Sequence, residues 1–149
     1  ASMMVREKVF STIGGLDENF FLYYEETEFM LRALRAGFPT WYVPSSRVMH
    51  LVGQSTNVTN AKPRPQRLPG YWFESRRRYY QVAHGLGYAI AADLIALLSG
   101  SLGMLKRWLQ FRGDRGVPYY LRDLYRHSSL RKKNRGWLPL RSFRVGDVR

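Results

Sequence analysis

One helix in this chain has both of its ends marked in the sequence, and it limits what the residues around it can form. Its apolar side recurs with the 3.6-residue period of an α-helix and consists of Phe29, Met30, Ala33 and Leu34. Acidic side chains favour the first turn of a helix, so this one is predicted to begin near Glu25. Gly37 can adopt the left-handed conformation that ends a helix, and Pro39 prevents continuation.

The start of this helix carries three carboxylates, those of Glu25, Glu26 and Glu28. One interpretation is structural, because the positive end of the helix dipole stabilises acidic side chains. The other is chemical, because a carboxylate can act as a general base. The pattern alone leaves both interpretations open.

The flanking residues predict one more helix and two short strands. Residues 5–13 have apolar side chains at helical spacing and are followed by two glycines. Residues 40–43 lie between two prolines and are aromatic and β-branched, as expected of a strand, and residues 47–52 form a second extended run. The aromatic residues 20–24 are expected to pack against the core.

Beyond residue 70 the sequence predicts helices. Residues 71–84 form one that stops at Gly85, and residues 117–130 form another. Residues 86–109 are apolar enough to be tested as a membrane span, but Asp93 near the middle would cost roughly 2.5–3.5 kcal/mol. We expect an amphipathic helix or helical hairpin that packs on the domain or lies in a membrane interface.

Three successive arginines, Arg76, Arg77 and Arg78, lie on the first of these helices. Neighbouring helix positions are about 100° apart, so at least one of the three should turn toward the domain. A planar guanidinium suits the oxygens of a diphosphate leaving group or of an acceptor phosphate. The alternative is a solvated basic face.

Charge is placed unevenly along the chain. The first 60 residues carry five basic and six acidic side chains, whereas the remaining 89 carry 19 basic and five acidic ones. The second part therefore indicates an anionic partner. It could be a basic nucleic-acid-binding module, although it has no recognised motif of that kind, or a non-catalytic membrane-docking or interaction module. Cysteine is absent, which excludes disulfides and thiolate metal ligands.

Several linked motifs occur in order along the first part of the chain. They are Gly14-Gly15-Leu16-Asp17-Glu18-Asn19-Phe20-Phe21, Tyr24-Glu25-Glu26-Thr27-Glu28, Ala36-Gly37, Val43-Pro44 and Val48-Met49-His50. In this order and spacing they resemble the C-terminal half of the catalytic domain of family 2 inverting glycosyltransferases, in particular the rhamnosyltransferase-like members. The resemblance covers residues 1–60 well and residues 61–85 loosely.

The resemblance implies an α/β fold, with a partial GT-A (Rossmann-like) sheet half followed by a mainly helical C-terminal extension. It divides the chain into the acceptor side of the GT-A catalytic domain (residues 1–60), a loop and basic helix (61–85) and a basic helical extension (86–149). Such enzymes also have a Rossmann-like first half and an Asp-x-Asp motif, and neither occurs in this sequence. We therefore expect the chain to be a fragment of a longer enzyme and to be inactive alone.

The resemblance also implies a single inverting displacement, in which a carboxylate takes the proton of the acceptor hydroxyl as its oxygen attacks the anomeric carbon. In the family this base is the second acid of a Glu-Asp pair, which aligns with Glu26. The present sequence departs from the pattern in having glutamate there. Glu25 is the second candidate.

Further residues are expected at the substrates, Arg76 and Arg77 because of their guanidinium chemistry and the others because of the resemblance. Those expected to contact donor or acceptor are Ser2, Asp17, Tyr24, His50, Ser55, Arg76 and Arg77. His50 is implied to face the diphosphate or its metal ion, Mg²⁺ or Mn²⁺. The expected partners are a nucleotide-sugar donor, a glycan or lipid-linked acceptor, an anionic membrane surface and a second copy in a homodimer, with no nucleic acid. The implied location is cytoplasmic, peripheral on the inner face of a bacterial cell membrane.

Overall fold

Helices organise the part of the chain that the computed structural model describes, which is residues 2–49, 65–111 and 116–136. The elements are α1 (Glu7–Ile13), α2 (Glu25–Arg35), α3 (Gly70–Leu109), α4 (Tyr120–His127) and a 3₁₀ turn (Lys132–Asn134). No strand occurs within these ranges.

The predicted α/β architecture is therefore wrong for the described residues. Residues 40–43 do not form the predicted strand, and neither do residues 47–49 of the second extended run. Residues 50–52 of that run lie outside the described residues. A strand is stable only when a neighbour takes up its backbone hydrogen bonds. Among the described residues no neighbour does so, and Trp41 and Tyr42 are 77% and 88% exposed. The aromatic and β-branched composition of residues 40–43 favours a strand locally, but the described residues provide no second strand to pair with it.

Helix α2, both of whose ends are indicated in the sequence, forms as predicted. It begins at Glu25 and ends at Arg35, and Gly37 follows in the left-handed region with φ of 86°. The predicted helix over residues 5–13 also forms, beginning slightly later at Glu7. These boundaries are well predicted because acidic residues in the first turn, glycines after the last turn and helical periodicity all agree.

The first core lies between α1 and α2. Val9 of α1 packs with Phe29 and Ala33 of α2, and all three are buried. Leu34, which the period assigned to the same side, is exposed instead. Of the aromatic residues 20–24, Phe20 is buried as expected, whereas Phe21 is 79% exposed, so that expectation is wrong for Phe21.

The long element α3 bends sharply at Gly85, whose φ of 85° and ψ of 168° are not helical. Arg76 and Asp93, 17 positions apart, form an ion pair across the bend. In a straight helix these positions would be about 25 Å apart. The element is therefore a helical hairpin with a first arm (residues 70–84) and a second arm (residues 86–109), and Gly85 ends the first arm as predicted.

Helix α4 packs against both arms of α3. Leu121 lies so close to Gly100 of the second arm that a Cβ at that glycine would be 2.5 Å from a Leu121 methyl carbon. The helix is shorter than the predicted residues 117–130, because Tyr119 takes a left-handed conformation and α4 begins only at Tyr120. Pro118 therefore lies before the first turn and not in it.

The second arm leaves much of its apolar surface uncovered. Its exposed large apolar residues include Leu94, Ile95, Leu98, Leu102, Leu105 and Leu109. By length and composition α3 could cross a membrane, and only 11% of its most apolar window is buried. Asp93, the acidic residue within this arm, is buried and paired with Arg76.

Candidate functional site

The first arm of α3 packs along residues 17–24, which we call the motif loop and which lead into α2. Ser75 donates a hydrogen bond of 2.8 Å from its hydroxyl to the carbonyl of Leu22. The rings of Phe21 and Tyr71 meet edge to face with centroids 5.2 Å apart. The basic helix predicted from sequence thus lies directly beside the motifs that carry the resemblance.

Asp17 joins the motif loop to the first arm by an ion pair. Arg78 donates two hydrogen bonds to Oδ2 of Asp17, of 2.6 and 2.9 Å, and both side chains are largely buried. Asn19 donates to Oδ1 from its backbone and its side chain. Burial raises the pKa of Asp17, but the hydrogen bonds from Asn19 and Arg78 outweigh this and lower it overall. Asp17, expected at the substrate, is held here by the protein itself.

The three successive arginines contact three different parts of the fold. Arg76 is buried and pairs with Asp93, Arg77 donates to the carbonyl of His127 at 3.1 Å, and Arg78 pairs with Asp17. The expectation that at least one would turn toward the domain is confirmed. Burial lowers the pKa of Arg77, opposed by the nearby Glu74 and Asp93.

Arg77 and Arg78 line an open cavity of about 170 Å³ between the first arm and the motif loop. Asn19 lies on the loop side of this cavity, and Gln81 lies on the arm. A planar cation beside such a space can bind phosphate oxygens, as the sequence suggested for Arg77. Arg76 does not line this cavity, because its guanidinium turns inward to Asp93.

The chain enters α2 through two strained tyrosines. Tyr23 and Tyr24 have φ of 70° and 68°, in the left-handed region that residues with a Cβ seldom adopt. Such conformations cost about 1–3 kcal/mol each and concentrate at functional sites. Aromatic contacts hold Tyr24 in place, because its ring lies 5.5 Å from that of Tyr79 and 6.3 Å from that of Trp72. Burial raises the pKa of Tyr24.

Glu28 has a structural role at the start of α2. It is buried and accepts hydrogen bonds of 2.7 and 2.9 Å from Nε of Arg32, one turn later. Arg32 also donates to the carbonyls of Ile13 and Gly15, at 2.6 and 2.7 Å. This network joins α2 to the turn after α1, so Glu28 is already occupied within the protein.

The other two carboxylates of the first turn differ in their surroundings. Glu26 is exposed to solvent. Glu25 is half-buried, and its Oε2 atom is buried with no hydrogen-bond partner in the part of the chain that the structure describes. A buried carboxylate oxygen without a donor is unusual and needs an explanation. Of the two predicted catalytic residues, Glu26 therefore has an accessible carboxylate, and Glu25 has a carboxylate oxygen without a hydrogen-bond donor among the described residues.

Of the remaining predicted site residues, Ser2 lies in the described part of the chain and is not brought to this place. Ser2 is exposed and lies outside any helix. His50 and Ser55 lie outside the described residues, and so does the predicted metal contact of His50. Within the described ranges, no three histidine or acidic side chains converge as a metal site would require.

Two of the contacts that build the site were missed in the sequence. Glu28 and Arg32 stand four positions apart on one helix, and this spacing could have predicted their ion pair. No local pattern could have found the pair of Asp17 and Arg78, because 61 positions separate them.

Comparison with known proteins relates part of the chain to glycosyltransferases. An N-acetylglucosaminyl-diphospho-decaprenol L-rhamnosyltransferase of Mycobacterium tuberculosis is 39% identical over 54 residues, covering 36% of this chain and 18% of that protein. A low-salt glycan biosynthesis hexosyltransferase of Haloferax volcanii is 61% identical over 33 residues, covering 22% and 11%. A dTDP-rhamnosyl transferase of Shigella flexneri is 34% identical over 53 residues, covering 36% and 18%.

These similarities are confined to short segments. The chain spans less than a fifth of the length of each of these relatives. No protein-family model matches the chain, and no solved structure is significantly similar to it. The chain is thus glycosyltransferase-like over about a third of its length, and glycosyl transfer is the class of activity that the similarities support.

Proposed function

We propose that this chain carries the acceptor side of the active site of a longer inverting glycosyltransferase. The enzyme transfers a sugar such as rhamnose from a nucleoside diphosphate sugar to a hydroxyl of a polysaccharide or lipid-linked acceptor. The observation that carries the proposal is the start of α2. There, Glu25 and Glu26 have no ionic partner among the described residues, whereas Glu28 is occupied by Arg32.

Glu26 is the general base in this proposal. Its carboxylate takes the proton of the acceptor hydroxyl while the oxygen forms a bond to the anomeric carbon and the bond to the diphosphate breaks. The exposure of Glu26 fits this role, because an acceptor must reach the base. Glu25 is a positioning residue whose buried oxygen would accept a hydrogen bond when the acceptor or the rest of the enzyme is in place.

Charge on the departing diphosphate needs cationic groups. Arg77 is the candidate among the described residues, because it lines the cavity beside the motif loop. Mg²⁺ or Mn²⁺, with His50 as a ligand, belongs to the proposal for the longer enzyme. The described residues do not themselves form a ligand set for such an ion.

Substitution of the two glutamates in the full-length enzyme tests this assignment. Glu26→Gln should lower turnover by at least about 10² while donor binding persists, because a lost general base typically costs 10² to 10⁴. Glu25→Gln should cost less. Glu7→Gln is the matched control, since Glu7 is an exposed glutamate in the first turn of α1.

Two outcomes would reject the catalytic assignment. Near-normal turnover of the Glu26→Gln enzyme would show that this carboxylate is not the base. Equal losses for Glu25→Gln and Glu26→Gln would return both residues to the role of stabilising the helix.

The second arm of α3 supports the further proposal that the enzyme binds peripherally to the cytoplasmic face of an anionic membrane. Its apolar face is exposed, and Lys106 and Arg107 lie in its last turn. Clustered basic residues add about 1 kcal/mol each near such a surface. The charge of Asp93 does not oppose this, because Asp93 is buried against Arg76.

Flotation with anionic vesicles tests the membrane proposal. Changing Lys106 and Arg107 to glutamate should release the protein from the vesicles. The matched control changes Lys132 and Lys133, an exposed basic pair on the 3₁₀ turn, by the same charge. If the two double variants were released equally, net charge alone would explain the release, and docking through the second arm would be contradicted. Retention of the first variant would contradict it as well.

A nucleic-acid-binding role is the rival, and the contacts of the arginines speak against it. Arg76, Arg77 and Arg78 bind other parts of the fold and do not form a continuous basic surface. Binding to random DNA that weakens steeply with salt, with a slope equivalent to several phosphates, would favour the rival.

A further inference from the structure

Aromatic side chains form a connected group where the first arm of α3 meets α2. This tyrosine cluster consists of Tyr24, Tyr79, Tyr80, His84 and Tyr88. Tyr24 and Tyr79 are stacked at 5.5 Å, Tyr80 and Tyr88 lie 5.8 Å apart, and His84 and Tyr88 lie 4.5 Å apart. The rings continue from the start of α2 to the bend at Gly85.

The tyrosine cluster is only partly covered by the protein. His84 is exposed and Tyr88 is 53% exposed, whereas Tyr24, Tyr79 and Tyr80 are half-buried. None of the four phenolic hydroxyls has a hydrogen-bond partner among the described residues. Large rings with free polar ends are characteristic of binding surfaces more than of cores.

The cations beside the cluster are already engaged. Arg76 lies 4.9 Å above the ring of Tyr80, but its guanidinium pairs with Asp93. Arg35 donates to the carbonyl of Ala83, which orients its guanidinium but leaves its charge in place near Tyr79. The rings that face solvent themselves offer aromatic faces and phenolic hydroxyls, which suit a neutral ligand that has both C–H faces and hydroxyl groups.

A pyranose ring fits this surface chemically. One of its faces presents C–H groups that can stack on an aromatic ring, and its hydroxyls can exchange hydrogen bonds with phenolic oxygens. Tyr24 immediately precedes Glu25 and Glu26 in the sequence, so a sugar held at the Tyr24 end of the cluster would lie close to the candidate base.

We propose that the tyrosine cluster is a binding platform for neutral saccharide, which guides the acceptor glycan toward the carboxylates of α2. The binding of saccharide follows from the cluster alone. Its assignment to the acceptor rests on the proposed function.

Tyrosine ring signals of the whole chain, labelled with ¹³C, test the platform by NMR. The probes are N,N′-diacetylchitobiose and maltose, titrated to millimolar concentrations, and the signals of the cluster should shift and saturate with at least one of them. Tyr88→Ala should weaken binding about tenfold, since an aromatic contact is worth up to about 1.4 kcal/mol. Tyr88→Phe keeps the stacking face and should keep most of the affinity.

Tyr125→Ala is the matched control, because Tyr125 on α4 is also 53% exposed and makes no ring contact with the cluster. Equal weakening by Tyr88→Ala and Tyr125→Ala would overturn the platform. So would the absence of cluster shifts with both disaccharides, or a response to adenosine alone, which would mark a nucleobase surface.

The proposal and the proposed function can fail separately. Saccharide binding that depends on Tyr88, in a full-length protein without glycosyl transfer, would support the platform and reject the enzyme. Glycosyl transfer with unchanged acceptor KM in the Tyr88→Ala enzyme would keep the enzyme and overturn the platform as its acceptor site.

Discussion

Arg76 and Asp93, which lie on opposite arms of one helical element, form an ion pair in the interior of the hairpin. Their side chains are 9% and 1% exposed. Asp93 also accepts a hydrogen bond of 2.7 Å from the backbone N–H of Ser129, beyond α4. One buried carboxylate therefore connects both arms of α3 with the segment that follows α4.

Removing this carboxylate should destabilise the fold strongly. Asp93→Ala removes the carboxylate from the buried guanidinium of Arg76, which keeps a long contact of 3.4 Å to the carbonyl of Ala92, and from the N–H of Ser129. Because a buried charge then lacks its counter-charge, we expect the free energy of unfolding to fall by about 3–5 kcal/mol. Urea denaturation measures this. Replacing both partners, with Arg76→Met and Asp93→Leu, should recover most of the loss because no unpaired charge remains. A double variant as unstable as Asp93→Ala would contradict this account.

Gly85 should tolerate no side chain. Its φ of 85° and ψ of 168° lie in a region that is almost restricted to glycine, so Gly85→Ala should cost about 1–3 kcal/mol of unfolding free energy. Gly87→Ala is the control, because Gly87 lies in the second arm with open space around its Cα. That change should be neutral or stabilise by up to about 1 kcal/mol. If thermal denaturation gave both variants the same stability, the bend would not depend on Gly85.

Acid should weaken the contact between the motif loop and the first arm. The pKa of Asp17 lies below its ordinary value of 3.8 in the folded chain, so the unfolded chain binds the proton more readily. This contribution is fully present above that ordinary value and is lost as the pH falls through the folded pKa. Asp17→Asn should therefore flatten the fall in unfolding free energy at low pH, whereas the exposed Glu18→Gln should leave it unchanged. Parallel pH profiles for the two variants would refute the prediction.

The exposed aromatic residues 41 and 42 should promote self-association. Trp41 and Tyr42 are 77% and 88% exposed beside one another, and burying them against a second copy would remove a large apolar area from water. Sedimentation equilibrium should show a concentration-dependent dimer that Trp41→Ser with Tyr42→Ser weakens. Phe111→Ser is the control, since Phe111 is equally exposed but lies elsewhere in the chain. A monomer at all concentrations would contradict the homodimer.

The sequence predicted the helices better than the contacts between them. The ends of α2 and the bend at Gly85 were predictable because glycine, proline and periodicity act locally. The outcome at residues 40–43, where the described chain has no strand, was not predictable, since a strand depends on a neighbour that local composition does not specify. The division of the chain at residues 60 and 85 stays a prediction.

In the candidate site, too, patterns within a short segment were predictable from the sequence, whereas contacts between residues far apart in the sequence were not. The carboxylates at the start of α2 were visible as a pattern, and so was the need for one of the arginines 76–78 to turn inward. Which arginine would meet Asp17 or Asp93 was not visible, because these pairs join positions 61 and 17 residues apart. The roles of Glu25 and Glu26 remain predictions.

Arg76, Arg77 and Arg78 each bind a different part of the fold. The number of residues between these arginines and the bend at Gly85 is therefore fixed. Inserting or deleting a single residue between the arginines and Gly85 would rotate the turn by about 100° relative to the bend. All three partners, Asp93, the carbonyl of His127 and Asp17, would then lose their arginines together. A point substitution in this turn removes one of these contacts, and a single second substitution could compensate for it. A change of length removes all three contacts, so three compensating changes would be needed at once.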